Sequence, residues 1–172
     1  MTPLIGGAFD PPHNGHVALA AAVRERFGEP VILVTADPGH KTAAAPAEAR
    51  LALARAAFPG YRVELDPHPR TVDLLRAGRF EEPLVVIGAD ELRDLPTWKE
   101  PEEVLRLGRV AVATRPGYGL DGADRVESFE IEPLPISSRD LRGRVARGEA
   151  IDDFVPPAVA ELIAEMGLYV RQ

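Results

Sequence analysis

The chain has 172 residues, of which 45% are hydrophobic and 27% are charged. Those values are ordinary for a soluble globular protein, and they exclude a disordered chain, a collagen-like fibre and a coiled coil. The 27 acidic residues exceed the 20 basic ones and give a net charge of −7, which argues against holding polymeric nucleic acid by counterion release. There are no cysteines, so disulfides, cysteine-based zinc sites and thiol catalysis are excluded.

Membrane insertion and export are also not expected. Apolar runs such as 84–87 are too short to cross a bilayer, and residues 1–4 show no basic region followed by an apolar run. We therefore expect a cytoplasmic protein with neither a membrane nor a nucleic acid as partner. The sequence leaves the oligomeric state open, a homo-oligomer included.

Short apolar runs alternate with helical patterns along the chain. Strands are predicted at 3–9, 31–35, 62–65, 84–87, 109–113 and 126–131. Helices are predicted at 16–27, 47–58, 72–77, 102–107, 138–147 and 157–166. This alternation predicts an α/β fold with a doubly wound parallel sheet, in a single domain over 1–172 whose C-terminal part, about 137–172, is small and helical. Such sheets bind ligands beyond the carboxyl ends of their strands, where the topology switches.

The first loop, residues 6–16, joins the first strand to the first helix and reads GGAFDPPHNGH. It matches neither the GxGxxG nor the GxxxxGK[ST] pattern of familiar nucleotide sites. Gly6 and Gly7 allow a ligand to approach the backbone, and Gly15 leaves room where a side chain would block an anion. Asn14 is expected to cap the helix, whose N-terminus attracts negative charge. The loop therefore predicts a phosphate site.

Two histidines, His13 and His16, lie three residues apart at the first helical turn and can point toward the same place. Side chains that donate hydrogen bonds there would serve a phosphate ligand. Two other interpretations remain open. The pair could bind a metal together with His40 or an acidic residue, or it could merely cap and pack the helix.

A second helix N-terminus is predicted in the segment 135–142, which reads PISSRDLR. Ser137 or Ser138 would cap this helix, and Arg142 would lie one turn further on the side of Ser138. A serine cap followed by surface arginines is common in any protein. The segment could therefore be such a cap or, beside the first loop, a second anchor for a polyphosphate.

These segments resemble a known superfamily. Residues 7–16 are similar to the GxFxPxHxGH signature of the nucleotidyltransferases, and 136–142 resemble their ISSTxxR element, with Arg139 where that family usually has Thr. The resemblance implies a Rossmann-like nucleotidyltransferase fold in which His13 and His16 are catalytic and stabilise the α-phosphate of ATP. The implied ATP-binding residues are Gly6, Gly7, Phe9, Gly15, His16, Ile136, Ser137, Ser138 and Arg142.

The middle of the chain narrows the resemblance to bacterial nicotinate mononucleotide adenylyltransferases. Residues 86–98, VIGADELRDLPTW, resemble the GADxxxxLxxW segment of that family, and 38–41 and 115–118 resemble its PPHK and RPG elements. The implied mononucleotide-binding residues are Lys41, Thr71, Gly88, Asp90, Trp98 and Arg115. Trp98 would lie against the pyridine ring, although a lone tryptophan equally suits core packing.

The resemblance implies that MgATP and nicotinate mononucleotide give deamido-NAD and pyrophosphate by direct in-line attack, a step of NAD biosynthesis. Mg²⁺ would bridge oxygens of the ligand phosphates, and no side chain of the protein would bind the metal. The segment 69–74 departs from the family's SYTxDT element, and Arg70 in it could pair with a carboxylate. Nicotinamide mononucleotide as acceptor, phosphopantetheine adenylyl transfer, a non-catalytic nucleotide-binding module and a metal-dependent hydrolase remain alternatives.

Overall fold

The computed structural model describes residues 1–38, 42–114 and 126–170. Within these ranges lie six strands: β1 (Thr2–Gly7), β2 (Val31–Thr35), β3 (Arg62–Asp66), β4 (Pro83–Gly88), β5 (Arg109–Thr114) and β6 (Val126–Glu130). The helices are α1 (Asn14–Phe27), α2 (Ala47–Ala57), α3 (Thr71–Arg76), α4 (Ala89–Asp94), α5 (Pro101–Leu107), α6 (Ser138–Ala146) and α7 (Pro157–Glu165), with a 3₁₀ turn at Leu95–Thr97. Two predicted site residues, Lys41 and Arg115, lie outside the described residues, as does His40.

All six strands are parallel, in the order β3–β2–β1–β4–β5–β6. Leu4 of β1 pairs with Val31 of β2 on one side and with Val85 of β4 on the other. The central strands are continuous runs of branched aliphatic residues because both faces of the sheet are buried. The chain leaves β1 in one direction and returns to its other side at β4, so the topology switches between these two strands. The predicted doubly wound parallel sheet is confirmed.

A hydrophobic core fills the space on each face of the sheet. One core is built with residues of α1, α2, α6 and α7, including Val23, Leu53 and Ile163. The other is built with α3 and α5, including Val72 and Val104. The two layers of helices hold the strand ends in fixed positions, and a small helical C-terminal part is present as predicted.

The structure differs from the sequence prediction at two helices and at the end of β1, which stops at Gly7 and not at residue 9. Helix α1 begins at Asn14, two residues earlier than expected, and its N-cap is His13, so the predicted cap by Asn14 is wrong. The Asn14 side chain instead donates to the carbonyl of Asp153 at 3.3 Å. Helix α4 is absent from the prediction, because none of its six residues is buried and no apolar period marks it. Within the described ranges, no helix has the length and apolar character needed to cross a bilayer.

Candidate active site

The candidate site lies at the carboxyl ends of the strands, where the topology switches. A cavity of about 610 Å³ opens there beside the first loop. Its lining includes residues at or near the ends of β1, β2, β3 and β4, among them Gly6, Thr35, Asp66 and Ile87. Gly6, Gly7 and Ala8 belong both to this lining and to the first loop, so the cavity and the loop share one wall.

The two predicted catalytic histidines lie together at the start of α1. The rings of His13 and His16 are stacked, with centroids 3.7 Å apart and planes 25° apart. The backbone N–H of His13 donates to Nδ1 of His16 at 3.2 Å. The His16 ring also packs edge-on against Phe9, at 5.1 Å between centroids. These contacts fix the orientation of His16.

Both histidines are neutral in the absence of a ligand. Burial lowers the pKa of His13 to about 4, and burial together with the neighbouring His13 lowers the pKa of His16 to about 3. Because Nδ1 of His16 accepts a hydrogen bond, the proton of its neutral ring resides on Nε2. Nδ1 of His13 is buried, and among the described residues it has no hydrogen-bond partner. The pair therefore keeps hydrogen-bonding groups that the ligand-free protein does not use.

The glycines of the first loop serve different ends. A Cβ built on Gly6 would meet no atom of the described part of the chain within 4 Å, so this backbone borders open space there. A Cβ on Gly7 would come within 3.3 Å of the Phe9 ring, and one on Gly15 within 3.0 Å of the His13 ring. Gly15 therefore makes room for His13 itself, whereas the sequence indicated room for an anion. Phe9 is buried with a left-handed backbone at φ 49°, a conformation sustained only by its surroundings.

Asp10 holds the first loop to two other parts of the chain. Its carboxylate is buried and accepts from the N–H groups of Ala44 and Ala45 at 2.6 and 3.1 Å, and from the hydroxyl of Tyr169 at 2.8 Å. Burial and the Asp10 contact raise the pKa of Tyr169, which therefore stays a hydrogen-bond donor. Sequence reasoning did not select Asp10, although it lies within the quoted motif.

Arg50 of α2 holds the same region from within. It is 1% exposed, and its guanidinium donates to four backbone carbonyls. The acceptors are Ala8, Thr35, Ala36 and Ala45, at 2.8–3.0 Å. Arg50 therefore joins the ends of β1 and β2 to the start of α2. Sequence reasoning did not find this role, since nothing in a helical pattern distinguishes such an arginine from one at the surface.

The second predicted anchor meets the first loop directly. The hydroxyl of Ser138 donates to the carbonyl of Pro11 at 2.8 Å, and Arg142 donates to the carbonyl of Asp10 at 2.7 Å. Ser137 is the N-cap of α6 and accepts from the N–H of Asp140 at 3.1 Å. The N-termini of α1 and α6 therefore border the same loop. Ile136, which precedes the cap, packs against the first core.

The predicted mononucleotide residues are distributed over the cavity and its rim. Thr71 and Trp98 line it, and Trp98 also packs on the second core, so its position suits both interpretations of the tryptophan. Gly88 caps α4, and its N–H donates to Glu91 at 2.9 Å. Asp90 is exposed and pairs with Arg93 at 2.9 Å, outside the cavity lining.

No group of three or more His, Asp or Glu side chains within 1–38, 42–114 and 126–170 is arranged to hold a metal ion. The stacked histidines lie at a helix N-terminus, whose partial positive charge opposes a cation. The arrangement is instead suited to anions: it provides neutral N–H donors, two helix N-termini and a loop of small residues beside a cavity.

The fold and this loop define a nucleotidyltransferase. The cytidylyltransferase-like family model matches residues 4–144, and the chain belongs to that family. Two relatives, from Roseiflexus and from Thermus thermophilus, are each 38% identical to this chain over 96% of its length, and the matches cover 96% and 97% of those proteins. Both carry the name "Probable nicotinate-nucleotide adenylyltransferase". Within the wider family, the chain is therefore a member of the nicotinate-nucleotide adenylyltransferases.

Solved structures show the same fold at lower identity. The Plasmodium falciparum nicotinic acid mononucleotide adenylyltransferase complexed with NaAD superposes with a TM-score of 0.80 at 17% identity, over 98% of this chain and 96% of that one. A structure from Vibrio parahaemolyticus gives a TM-score of 0.72 at 19% identity, over 99% of this chain and 96% of that one. The whole described fold is thus shared.

Proposed function

We propose that this protein transfers the adenylyl group of ATP to nicotinate mononucleotide, releasing pyrophosphate and forming deamido-NAD for NAD biosynthesis. Its membership of the nicotinate-nucleotide adenylyltransferase family supports the reaction. The observation that carries the proposal at the level of atoms is the shared wall at Gly6, Gly7 and Ala8. The loop that forms this wall also carries the histidine pair, and the cavity that it borders is lined by an aromatic side chain, Trp98.

The shared wall gives the two substrates a place to meet. ATP would lie with its phosphates at the N-termini of α1 and α6, and the mononucleotide would occupy the cavity with its ring against Trp98. The phosphate of the mononucleotide then approaches the α-phosphorus of ATP along the first loop. Holding two reactants in this relation supplies most of what the reaction needs.

The reaction requires little covalent chemistry from the protein. A phosphate monoester is already an anion at neutral pH, so it attacks phosphorus without a general base, and pyrophosphate leaves in line with it. The Nε2–H of neutral His16 donates to an oxygen of the α-phosphate, where negative charge builds up in the transition state. His13 supports this ring by stacking on it.

Other predicted contacts complete the proposal. Ser137, Ser138 and Arg142 would exchange part of their present contacts for the triphosphate, with ATP entering as its Mg²⁺ complex. Lys41 and Arg115, outside the described residues, would contact the mononucleotide. Thr71 and Gly88 would approach the same ligand, and Asp90 would turn from Arg93 toward its ribose hydroxyls.

The test is pyrophosphate release from MgATP, measured in parallel with nicotinate mononucleotide, nicotinamide mononucleotide and phosphopantetheine, with the dinucleotide identified by mass spectrometry. We expect the fastest release with the acid. Faster release with the amide would show that nicotinamide mononucleotide is the preferred acceptor. Release with phosphopantetheine alone would show that the acceptor is not a pyridine mononucleotide. Binding of ATP with no release would indicate a non-catalytic module, and hydrolysis without an acceptor would indicate a hydrolase.

A further inference from the structure

Residues 69–74 differ from the SYTxDT element that the family has at this place. In the structure they form the end of a loop and the start of α3. The loop 67–70 follows the end of β3 and leads into α3. The buried Asp66 accepts from both the N–H and the Nδ1 of His68, at 3.0 and 2.7 Å. At the other end, the carbonyl of Arg70 accepts from the N–H groups of Asp73 and Leu74. The loop is therefore held at both ends.

Ion pairs join this loop's helix to the segment that carries Trp98. Lys99 pairs with Asp73 at 2.9 Å, and Arg76 donates to Glu100 at 3.0 Å. Glu100 has a left-handed backbone at φ 53°, a costly conformation that these contacts help sustain. The residues after Trp98 are therefore held against α3, and both Trp98 and the loop before α3 line the cavity.

Three cationic or potentially cationic side chains line the cavity in its described part: His68, Arg70 and Lys99. Two of them already have acidic partners, since His68 contacts Asp66 and Lys99 contacts Asp73. Arg70 makes a hydrogen bond to the carbonyl of its neighbour, and no carboxylate in the described ranges forms an ion pair with it. Its guanidinium therefore still offers a pair of donors to a ligand.

Charge on the part of the wall that α4 forms limits where an anionic group of a ligand can lie. Glu91 and Asp94 line the cavity from α4. A carboxylate attached to a ring against Trp98 is repelled from that wall and attracted to Arg70. A guanidinium matches a carboxylate with two parallel hydrogen bonds, whereas it finds only a carbonyl acceptor in an amide.

Resting on the proposed function, we propose that Arg70 is the residue by which this chain selects the nicotinate over the nicotinamide mononucleotide. It pairs with the ring carboxylate while Trp98 holds the ring. Asp66 and His68 act as positioning residues that fix the loop. This selection uses a side chain that the chain has in place of the family's usual element.

The experiment compares kcat/KM for the two mononucleotides in the parent protein and in Arg70→Gln. Arg55→Gln on α2 is the matched control, since Arg55 is also exposed but lies outside the cavity lining. We expect Arg70→Gln to lower kcat/KM for the acid by about 10- to 100-fold, as loss of hydrogen bonds to a charged group does, and to leave the value for the amide near that of the parent. Arg55→Gln should change neither.

Each other outcome has its own meaning. An equal loss with both substrates would place Arg70 at the mononucleotide phosphate and overturn its role in selection, and an unchanged ratio would overturn it as well. If the parent protein uses neither mononucleotide, or prefers the amide, the proposed function itself fails in that measurement, before any variant is compared.

Discussion

The hydroxyl of Tyr169 donates to the buried carboxylate of Asp10, joining residues that are 159 positions apart in the sequence. Tyr169 has a left-handed backbone at φ 64°, which is uncommon for a residue with a side chain. Asp10 belongs to the first loop, which leads to the histidines, and its carboxylate also accepts from the N–H groups of Ala44 and Ala45. The contact with Tyr169 is therefore one of those by which the C-terminal part of the fold supports the first loop, beside the hydrogen bonds of Ser138 and Arg142.

Removing that hydroxyl should weaken the fold. In Tyr169→Phe, Asp10 keeps its two backbone donors but loses the third, so a buried carboxylate is less well satisfied. We expect the free energy of unfolding to fall by about 1–3 kcal/mol, measured by urea denaturation. Tyr61→Phe is the control, because the Tyr61 ring lies under the exposed Arg24 guanidinium, away from Asp10. Equal effects in the two variants would contradict a special role for Tyr169.

The buried guanidinium of Arg50 should matter more than any surface arginine. Replacing it in Arg50→Met leaves four backbone carbonyls without their donor, so we expect a loss of at least about 3 kcal/mol in unfolding free energy. Arg55→Met, on the same helix but exposed, should stay within about 0.5 kcal/mol of the parent. A small effect at Arg50 would mean that water replaces the guanidinium.

Sequence reasoning succeeds where the pattern is continuous and local. The buried strands β2 and β4 are uninterrupted apolar runs, and alternation with helices is enough to predict the doubly wound sheet. The first loop is identified from its motif, and the structure brings His13 and His16 into contact. The ligand contacts of these residues stay predictions.

The sequence is less informative where a residue acts across the fold. Nothing in the pattern of α2 tells that Arg50 points inward to bind the ends of two strands, because its partners are backbone carbonyls of other elements. Asn14 is expected to cap α1 because asparagine is a common capping residue. That prediction is wrong: the N-cap is His13, and its backbone N–H donates to the ring of His16. Helix α4 is exposed and polar, so it lacks the apolar period on which a prediction depends.

Two glycines of the first loop should respond differently to the same substitution. Gly6 borders open space, so Gly6→Ala should fold normally and raise the KM for substrates by placing a methyl group where they bind. Gly15→Ala would press within 3.0 Å of the His13 ring, so it should lower kcat and the unfolding free energy together. Steady-state kinetics and urea denaturation of both variants separate these effects, and a Gly6→Ala protein with parental KM values would contradict binding at this wall.

The histidine pair should make the ligand-free protein sensitive to acid. Their pKa values are about 4 and 3 in the folded protein, below the ordinary value of about 6.5, so between pH 6.5 and 4 the unfolded chain binds more protons than the folded one. Stability is therefore lost as the pH falls through this window, by about 2 kcal/mol per histidine at pH 5. Urea midpoints at pH 7.5 and 5 should differ less in a His13→Gln/His16→Gln double variant than in the parent. An identical pH dependence would contradict the assignment.

Of the two histidines, His16 should be the more important for turnover. The bond from the His13 N–H and the edge contact with Phe9 hold its ring, and its Nε2–H is the donor proposed for the α-phosphate. Replacing it in His16→Ala should lower kcat by about 10²–10³-fold, as loss of one preorganised donor to a developing oxyanion does. Circular dichroism and calorimetric binding of ATP would separate lost chemistry from lost folding or affinity. A variant whose kcat remains within about threefold of the parent would exclude His16 as that donor, since the loss of such a hydrogen bond costs far more.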